Sequence, residues 1–295
     1  MSKAAALPGV LTALLCLATA LPVAAAPAGR VHGLWVWKGP DILGAPGGAE
    51  KLRDFCQREG IDEVYVSVFS HGDLNDTAVL SAATRLLHRS NVRVEVLISS
   101  TDADEPGKHR EKLLDHVRAI VKFNSQHPEA RIDGIHLDIE PQQRPENKGA
   151  GNLRFLSGLI EAYRAVRSLA EGAGMTVNAD IQNKLLKGSL DERRALLQSL
   201  PRLTLMLYEL NGPNDGSSSE QKADEVRSAS RAFLEMAYQG VNTPNLATMV
   251  IALRTPDYGE LLPQMLKTLD EANGSDPHYQ GWARHSYNDM LKGQP

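Results

Sequence analysis

The sequence is poor in cysteine, in aromatic residues and in excess charge of either sign. Only Cys16 and Cys56 occur in 295 residues, and Cys16 lies in an N-terminal apolar run, so a disulfide framework is excluded. Aromatic residues make up 5%, sparse for a chain that would line a sugar cleft with rings. The 32 basic and 36 acidic residues leave a formal charge of -4, without the basic stripe of a nucleic-acid binder. Beyond the N-terminal run, no stretch approaches the roughly 20 apolar residues of a membrane span. What is present, 42% hydrophobic residues, is enough for one large core or two small ones.

The first residues have the order of a secretory signal. Lys3 supplies a positive charge, Val10 to Val23 is apolar, and Ala24, Ala25 and Ala26 are small. The expected division is a signal peptide over residues 1–25 and a single domain over 26–295. The protein is then secreted or periplasmic, with no membrane insertion after cleavage. A lipid anchor on Cys16 is disfavoured by the bulky Leu15 before it. Cys56 is expected to pack in the core.

Eight β-branched or apolar runs suggest strands: Val31–Trp37, Glu63–Phe69, Val92–Ser99, Gly134–Glu140, Met175–Ile181, Arg202–Tyr208, Thr248–Leu253 and Gln280–Tyr287. Helical spacing falls between many of them, in Glu50–Glu59, Lys112–Phe123, Leu153–Ala173, Leu190–Leu200, Ser219–Tyr238 and Tyr258–Asn273. Ser189 and Glu192 form a candidate capping box. Strand–helix alternation over about 265 residues predicts an α/β fold, a single closed (β/α)8 TIM barrel. An open doubly wound sheet is the rival. It lacks its glycine-rich phosphate loop, because Trp37-Lys38-Gly39-Pro40 follows the first strand.

Residues two apart in a strand share a face. In the fourth strand His136, Asp138 and Glu140 alternate with Ile135, Leu137 and Ile139. The aliphatic set suits the layer under the helices, so the polar set points into the barrel, toward the end where such folds build their sites. Asn178, Asp180 and Gln182 repeat the pattern in the fifth strand. Tyr208 ends the sixth, Arg254 follows the seventh, His285 and Tyr287 are in phase in the eighth, and Trp35 and Trp37 end the first. Two crowded carboxylates raise one pKa, which a general acid near neutral pH requires. Glu140, nearer the strand end, is the candidate acid, Asp138 its orienting and tuning partner, and Tyr208 a hydrogen-bond donor to the substrate. Asp180, Glu209, His285, Tyr287, Trp37 and Arg254 are candidate substrate-binding residues. His136, one step deeper, reads as structural, and Trp35 and Trp37 suit core packing as well as a sugar platform. The same pattern is compatible with a buried polar network that only satisfies itself.

The run Asp133-Gly134-Ile135-His136-Leu137-Asp138-Ile139-Glu140 resembles the fourth-strand signature of family 18 glycoside hydrolases, the chitinase-like barrels. Met206-Leu207-Tyr208-Glu209 is similar to their sixth-strand motif. The resemblance implies that Glu140 protonates a glycosidic oxygen. Asp138 would orient a 2-acetamido group that attacks in place of an enzyme nucleophile, and Tyr208 would hold that group. His136 replaces the first of three alternating acids, and His285 and Tyr287 stand where a tryptophan would close strand eight. The full run also resembles secreted bacterial barrel proteins of unassigned function. A larger retaining clan with a second Glu after strand seven is set aside, because Arg254 stands there.

The expected function is hydrolysis of a glycosidic bond in an oligo- or polysaccharide by a monomer, with no cofactor, metal or nucleic acid. One alternative is a non-catalytic carbohydrate-binding barrel of the chitinase-like lectin kind. Another is a divalent-metal hydrolase using His136, Asp138, Glu140 and His285. A Ser-His-Asp hydrolase is disfavoured, since no Gly-x-Ser-x-Gly elbow occurs.

Overall fold

A computed structural model describes residues 29–70, 73–74, 76–149, 153–208, 210 and 216–292. The signal-peptide expectation at 1–25, with Cys16, lies outside the described residues, as does Glu209.

Eight parallel strands close into one barrel. They are β1 (Val31–Val36), β2 (Glu63–Ser67), β3 (Arg93–Ser100), β4 (Gly134–Ile139), β5 (Thr176–Gln182), β6 (Arg202–Met206), β7 (Thr248–Arg254) and β8 (Tyr279–His285). Each pairs with its sequence neighbours, and β1 pairs with β8 to complete the ring. The helices that follow the strands are, in order, α1 (Gly48–Glu59), α2 (Thr77–His88), α3 (Lys108–Gln126), α4 (Leu156–Glu171), α5 (Leu190–Leu197), α6 (Ser219–Tyr238), α7 (Leu262–Asn273) and α8 (Tyr287–Lys292). This is the TIM barrel that the strand–helix alternation implies. None of the described helices is long and apolar enough to cross a membrane.

Helix α2 is absent from the sequence reading although Val79, Leu80, Ala83 and Leu87 have helical spacing. Asp76 caps it by accepting from the Val79 amide at 3.1 Å. The capping box at Ser189 and Glu192 is present, and Ser218 with Gln221 forms a second one opening α6.

The core has two compartments. Ile135, Leu137 and Ile139 belong to the large layer between strands and helices, where Cys56 also packs. Inside the barrel, Val31, Trp35, Tyr65, Leu97, Val250, Ala252 and Ala283 form a smaller apolar cluster. Charged side chains share that interior. Glu63, Glu95, Arg202, His136 and Asp180 are all nearly or wholly buried. Such groups are tolerated only when paired. Arg202 pairs with Glu63 and lies 3.2 Å from Glu95 Oε1, and Asn178 also donates to that oxygen at 2.6 Å.

The Asp133-Gly134 pair that opens β4 has a structural explanation. Asp133 accepts from the Val94 amide at 2.8 Å and stands 2.9 Å from His88 Nε2, which locks β4 to β3 and α2. A side chain on Gly134 would run into Thr176 and Glu95. Gly33 plays the same part in β1, because a Cβ there would collide with the Tyr65 hydroxyl.

Candidate active site

The C-terminal ends of the strands surround an open cavity of about 450 Å³, in the range of small-molecule sites. Strands β4 and β5 contribute most of its polar lining. Register places Asp138 beside Ser99 of β3, while His136 is level with Asn178 of β5. The two-residue alternation of β4 therefore turns His136, Asp138 and Glu140 inward at rising heights. His136 is sealed under the floor, Asp138 is almost buried, and Glu140 is half-buried at the cavity wall.

The two carboxyls differ in surroundings. Burial pushes Asp138 well above the usual aspartate range, and the charges of Asp180 and Glu140 add to the rise. Its Oδ1 is buried and has no hydrogen-bond partner among the described residues. Burial also raises Glu140. The hydrogen bond from Gln182 opposes that rise, Asp180 reinforces it, and Gln142 opposes it again. Glu140 Oε1 accepts from Gln182 Nε2 and Gln142 Nε2, each at 3.0 Å, and Gln143 donates to Oε2.

Tyr208 faces the same cavity. Its hydroxyl is buried and has no partner among the described residues. Burial, followed by the charge of Asp180, raises the phenol well above its ordinary value, so it remains a neutral donor. Arg254 lies 5.8 Å from the Tyr208 ring centroid and is oriented by Asp257, which accepts from Nε at 3.0 Å and from Nη2 at 2.7 Å. Trp37 donates its indole N–H to His285 Nε2 at 2.9 Å, which assigns the imidazole proton to Nδ1. Burial lowers the His285 pKa, so the ring is neutral.

The cavity thus brings together Asp138, Glu140, Asp180, Tyr208, Arg254, His285 and Trp37. Trp35 also reaches it, so it is floor and packing residue at once. Tyr287 does not belong. The strand ends at His285 and α8 begins at Tyr287, so the alternation that put the two in phase is broken. Tyr287 is buried against Phe55 instead, with ring centroids 5.1 Å apart.

Sequence reasoning missed Gln142, which donates to Glu140, and Gln143 and Asn183, which line the cavity. The first two follow Glu140 directly in a short turn, Pro141–Gln143, whose position is visible only once strand β4 is known to stop at Ile139. The loop after β4 is tied to the loop after β3 by Arg144, 2.8 Å from Asp104 and 2.6 Å from Glu105.

The metal alternative loses one of its ligands. His136 Nδ1 is 3.3 Å from Glu95 and Nε2 is 2.8 Å from Asp180, so neither nitrogen faces Asp138 or Glu140. No group of three or more metal-binding side chains gathers among the described residues.

No protein-family model matches the sequence, and no curated protein matches it. Solved structures do. A chitinase from Bacteroides thetaiotaomicron matches with a TM-score of 0.54 and 12% identity, over 90% of this chain and 93% of that one. The endo-1,4-β-mannanase of Rhizomucor miehei matches with a TM-score of 0.59 and 9% identity, over 88% and 86%. A β-mannanase from the blue mussel Mytilus edulis matches with a TM-score of 0.52 and 16% identity, over 90% of each chain. The chain has the TIM-barrel fold of these glycoside hydrolases.

Proposed function

We propose that the protein is a glycosidase acting outside the cytoplasm, with Glu140 as general acid and Asp138 as its orienting partner. The observation that carries this is the pair of buried, unpartnered polar atoms, Asp138 Oδ1 and Tyr208 Oη, on two residues that line the same cavity as Glu140. Buried polar atoms are normally satisfied, so two orphans in the wall of one cavity mark places for a ligand's own polar groups. Polysaccharide cleavage by the neighbouring folds is in keeping with that reading.

Protonated Glu140 gives its proton to the glycosidic oxygen as the bond from that oxygen to the anomeric carbon breaks. The resemblance to family 18 supplies the nucleophile, the carbonyl oxygen of a 2-acetamido group, which bonds to the anomeric carbon. Tyr208 donates to that oxygen and Asp138 accepts a hydrogen bond from the amide N–H. Water then attacks the anomeric carbon as its bond to the acetamido oxygen breaks, and gives its proton to Glu140, which restores the acid.

A second reading is a sugar-binding barrel without turnover. The three glutamine amides around Glu140 favour it, because both carboxyl oxygens already accept hydrogen bonds. Cleavage of a panel of fluorogenic glycosides and natural polysaccharides by wild type and Glu140→Gln separates the two. Turnover abolished by Glu140→Gln supports the glycosidase. Turnover unchanged by it removes the acid assignment, and sugar binding with no turnover in either protein leaves the binding barrel.

A further inference from the structure

Just past the last residue of β1 stands a tryptophan that three hydrogen bonds hold in place. Trp37 follows Val36 directly, and Lys38 after it turns the chain at φ 53°, a left-handed conformation uncommon for lysine. The Trp37 amide N–H donates to Asn288 Oδ1 at 2.8 Å, and Asn288 Nδ2 donates to the Trp37 carbonyl at 2.8 Å. The third bond runs from the indole N–H to His285 Nε2 at 2.9 Å. Asn288 lies on α8, 251 residues along the chain, and does not itself line the cavity.

We infer that Trp37 is a platform on which a sugar ring stacks in the cavity, and that Asn288 is the positioning residue that fixes it there. This deepens the glycosidase reading and rests on its placing a carbohydrate in that cavity.

The tryptophans differ in what they leave to a ligand. Trp35 is buried and gives its N–H to Asp180 at 3.2 Å. Trp282 is buried, stacks on His32 with ring centroids 4.2 Å apart, and gives its N–H to Asp270 at 3.1 Å. Trp37 is half-buried and lines the cavity. Its N–H is taken by His285, so what remains for a ligand is ring surface. The apolar C–H face of a pyranose suits such a surface, and the polar groups elsewhere in the cavity suit its hydroxyls.

The ring is also prepared for that task. One asparagine amide grips both backbone polar groups of Trp37, as a neighbouring strand would, and only an amide of this length supplies the donor and the acceptor together. His285 holds the indole edge, and its own ring is hemmed in by Trp35 and Tyr208, each with ring centroids 5.7 Å away. An aromatic side chain fixed at its backbone and its edge has little freedom left to lose when a ligand stacks on it. Helix α8 has its own anchor in Tyr287 against Phe55, so the Asn288 amide serves Trp37 more than the docking of the helix.

NMR of the full chain tests this, because three tryptophans give three indole N–H signals. The Trp37 signal is assigned by its loss in Trp37→Phe. In Asn288→Ala that N–H should exchange with solvent about fivefold faster, the scale of one lost hydrogen bond. Asn288→Asp keeps the acceptor and loses the donor. It should fall between the two, and it decides the matter if Asn288→Ala does not fold. Chitopentaose and mannopentaose are then titrated into Glu140→Gln. Binding should move the Trp37 signal, and adding the Asn288 substitution should weaken binding about tenfold. With Glu140 intact, KM should rise about as much while kcat changes less than about twofold. A sugar that binds and moves the signal but is not cleaved by wild type sinks the glycosidase reading and leaves the platform. Cleavage with an unmoved Trp37 signal, or with KM unchanged in the folded Asn288 variants, sinks the platform alone. A protein that binds neither sugar loses both.

Discussion

Gln182, at the end of β5, donates its side-chain amide to Glu140 Oε1 at 3.0 Å, from the strand next to the one that carries the acid. A hydrogen bond to a carboxylate favours its charged form, so Gln182 holds the Glu140 pKa below what burial alone would set. Replacing Gln182 with Met should move the alkaline limb of the kcat/KM profile upward, because the acid then keeps its proton to higher pH. One hydrogen bond of about 1 kcal/mol corresponds to a shift of about 0.7 unit. A pH–rate series on the two proteins checks this, and a downward shift would contradict the assignment.

Tyr208 and Tyr287 should part company. Tyr208→Phe removes a buried, unpartnered donor on a residue that lines the cavity and is expected to lower kcat by about 100-fold, the scale for loss of one preorganised donor. Tyr287→Ala empties a packed site against Phe55 and is expected to cost about 3 kcal/mol of stability while leaving turnover per folded molecule unchanged. Steady-state kinetics and urea unfolding on both variants distinguish these outcomes.

Arg202 holds two buried carboxylates, and its loss strands them. Arg202→Met is expected to destabilise the barrel by about 3–5 kcal/mol, the usual cost of breaking a buried pair by removing one partner. Urea unfolding at neutral pH measures it. A stability change below about 1 kcal/mol would mean that the network contributes little.

His136 makes stability depend on pH in a definite direction. Its folded pKa, about 9, lies above the unfolded value of about 6.5. Its contribution is therefore complete below about pH 6.5 and is lost as pH rises through about 9. The stability gap between wild type and His136→Gln should be larger at about pH 6 than at about pH 9.5 in urea unfolding. A gap that widens with pH would show that the ring is buried neutral.

The barrel was legible because most strands announce themselves by apolar, β-branched runs and six of the helices by apolar spacing, although α2 and α8 went unread. The inward course of His136, Asp138 and Glu140 followed from the two-residue period alone. The same period places Glu63 with Tyr65 on β2 and Glu95 with Leu97 on β3, so these inward acids had a signal, and the sequence reading passed over it. Their partner had none. Arg202 is 139 residues from Glu63 and 107 from Glu95, and only closure of the ring brings them together. The misplaced Tyr287 shows the limit of the period rule, which holds only while the strand continues.

The most direct test of the site is a crystal structure of Glu140→Gln with a bound oligosaccharide. The account expects the glycosidic oxygen within hydrogen-bond distance of the residue 140 side chain, with Asp138 Oδ1 and Tyr208 Oη both engaged by the sugar. A saccharide bound elsewhere on the barrel, or one that leaves both atoms without a partner, would contradict it.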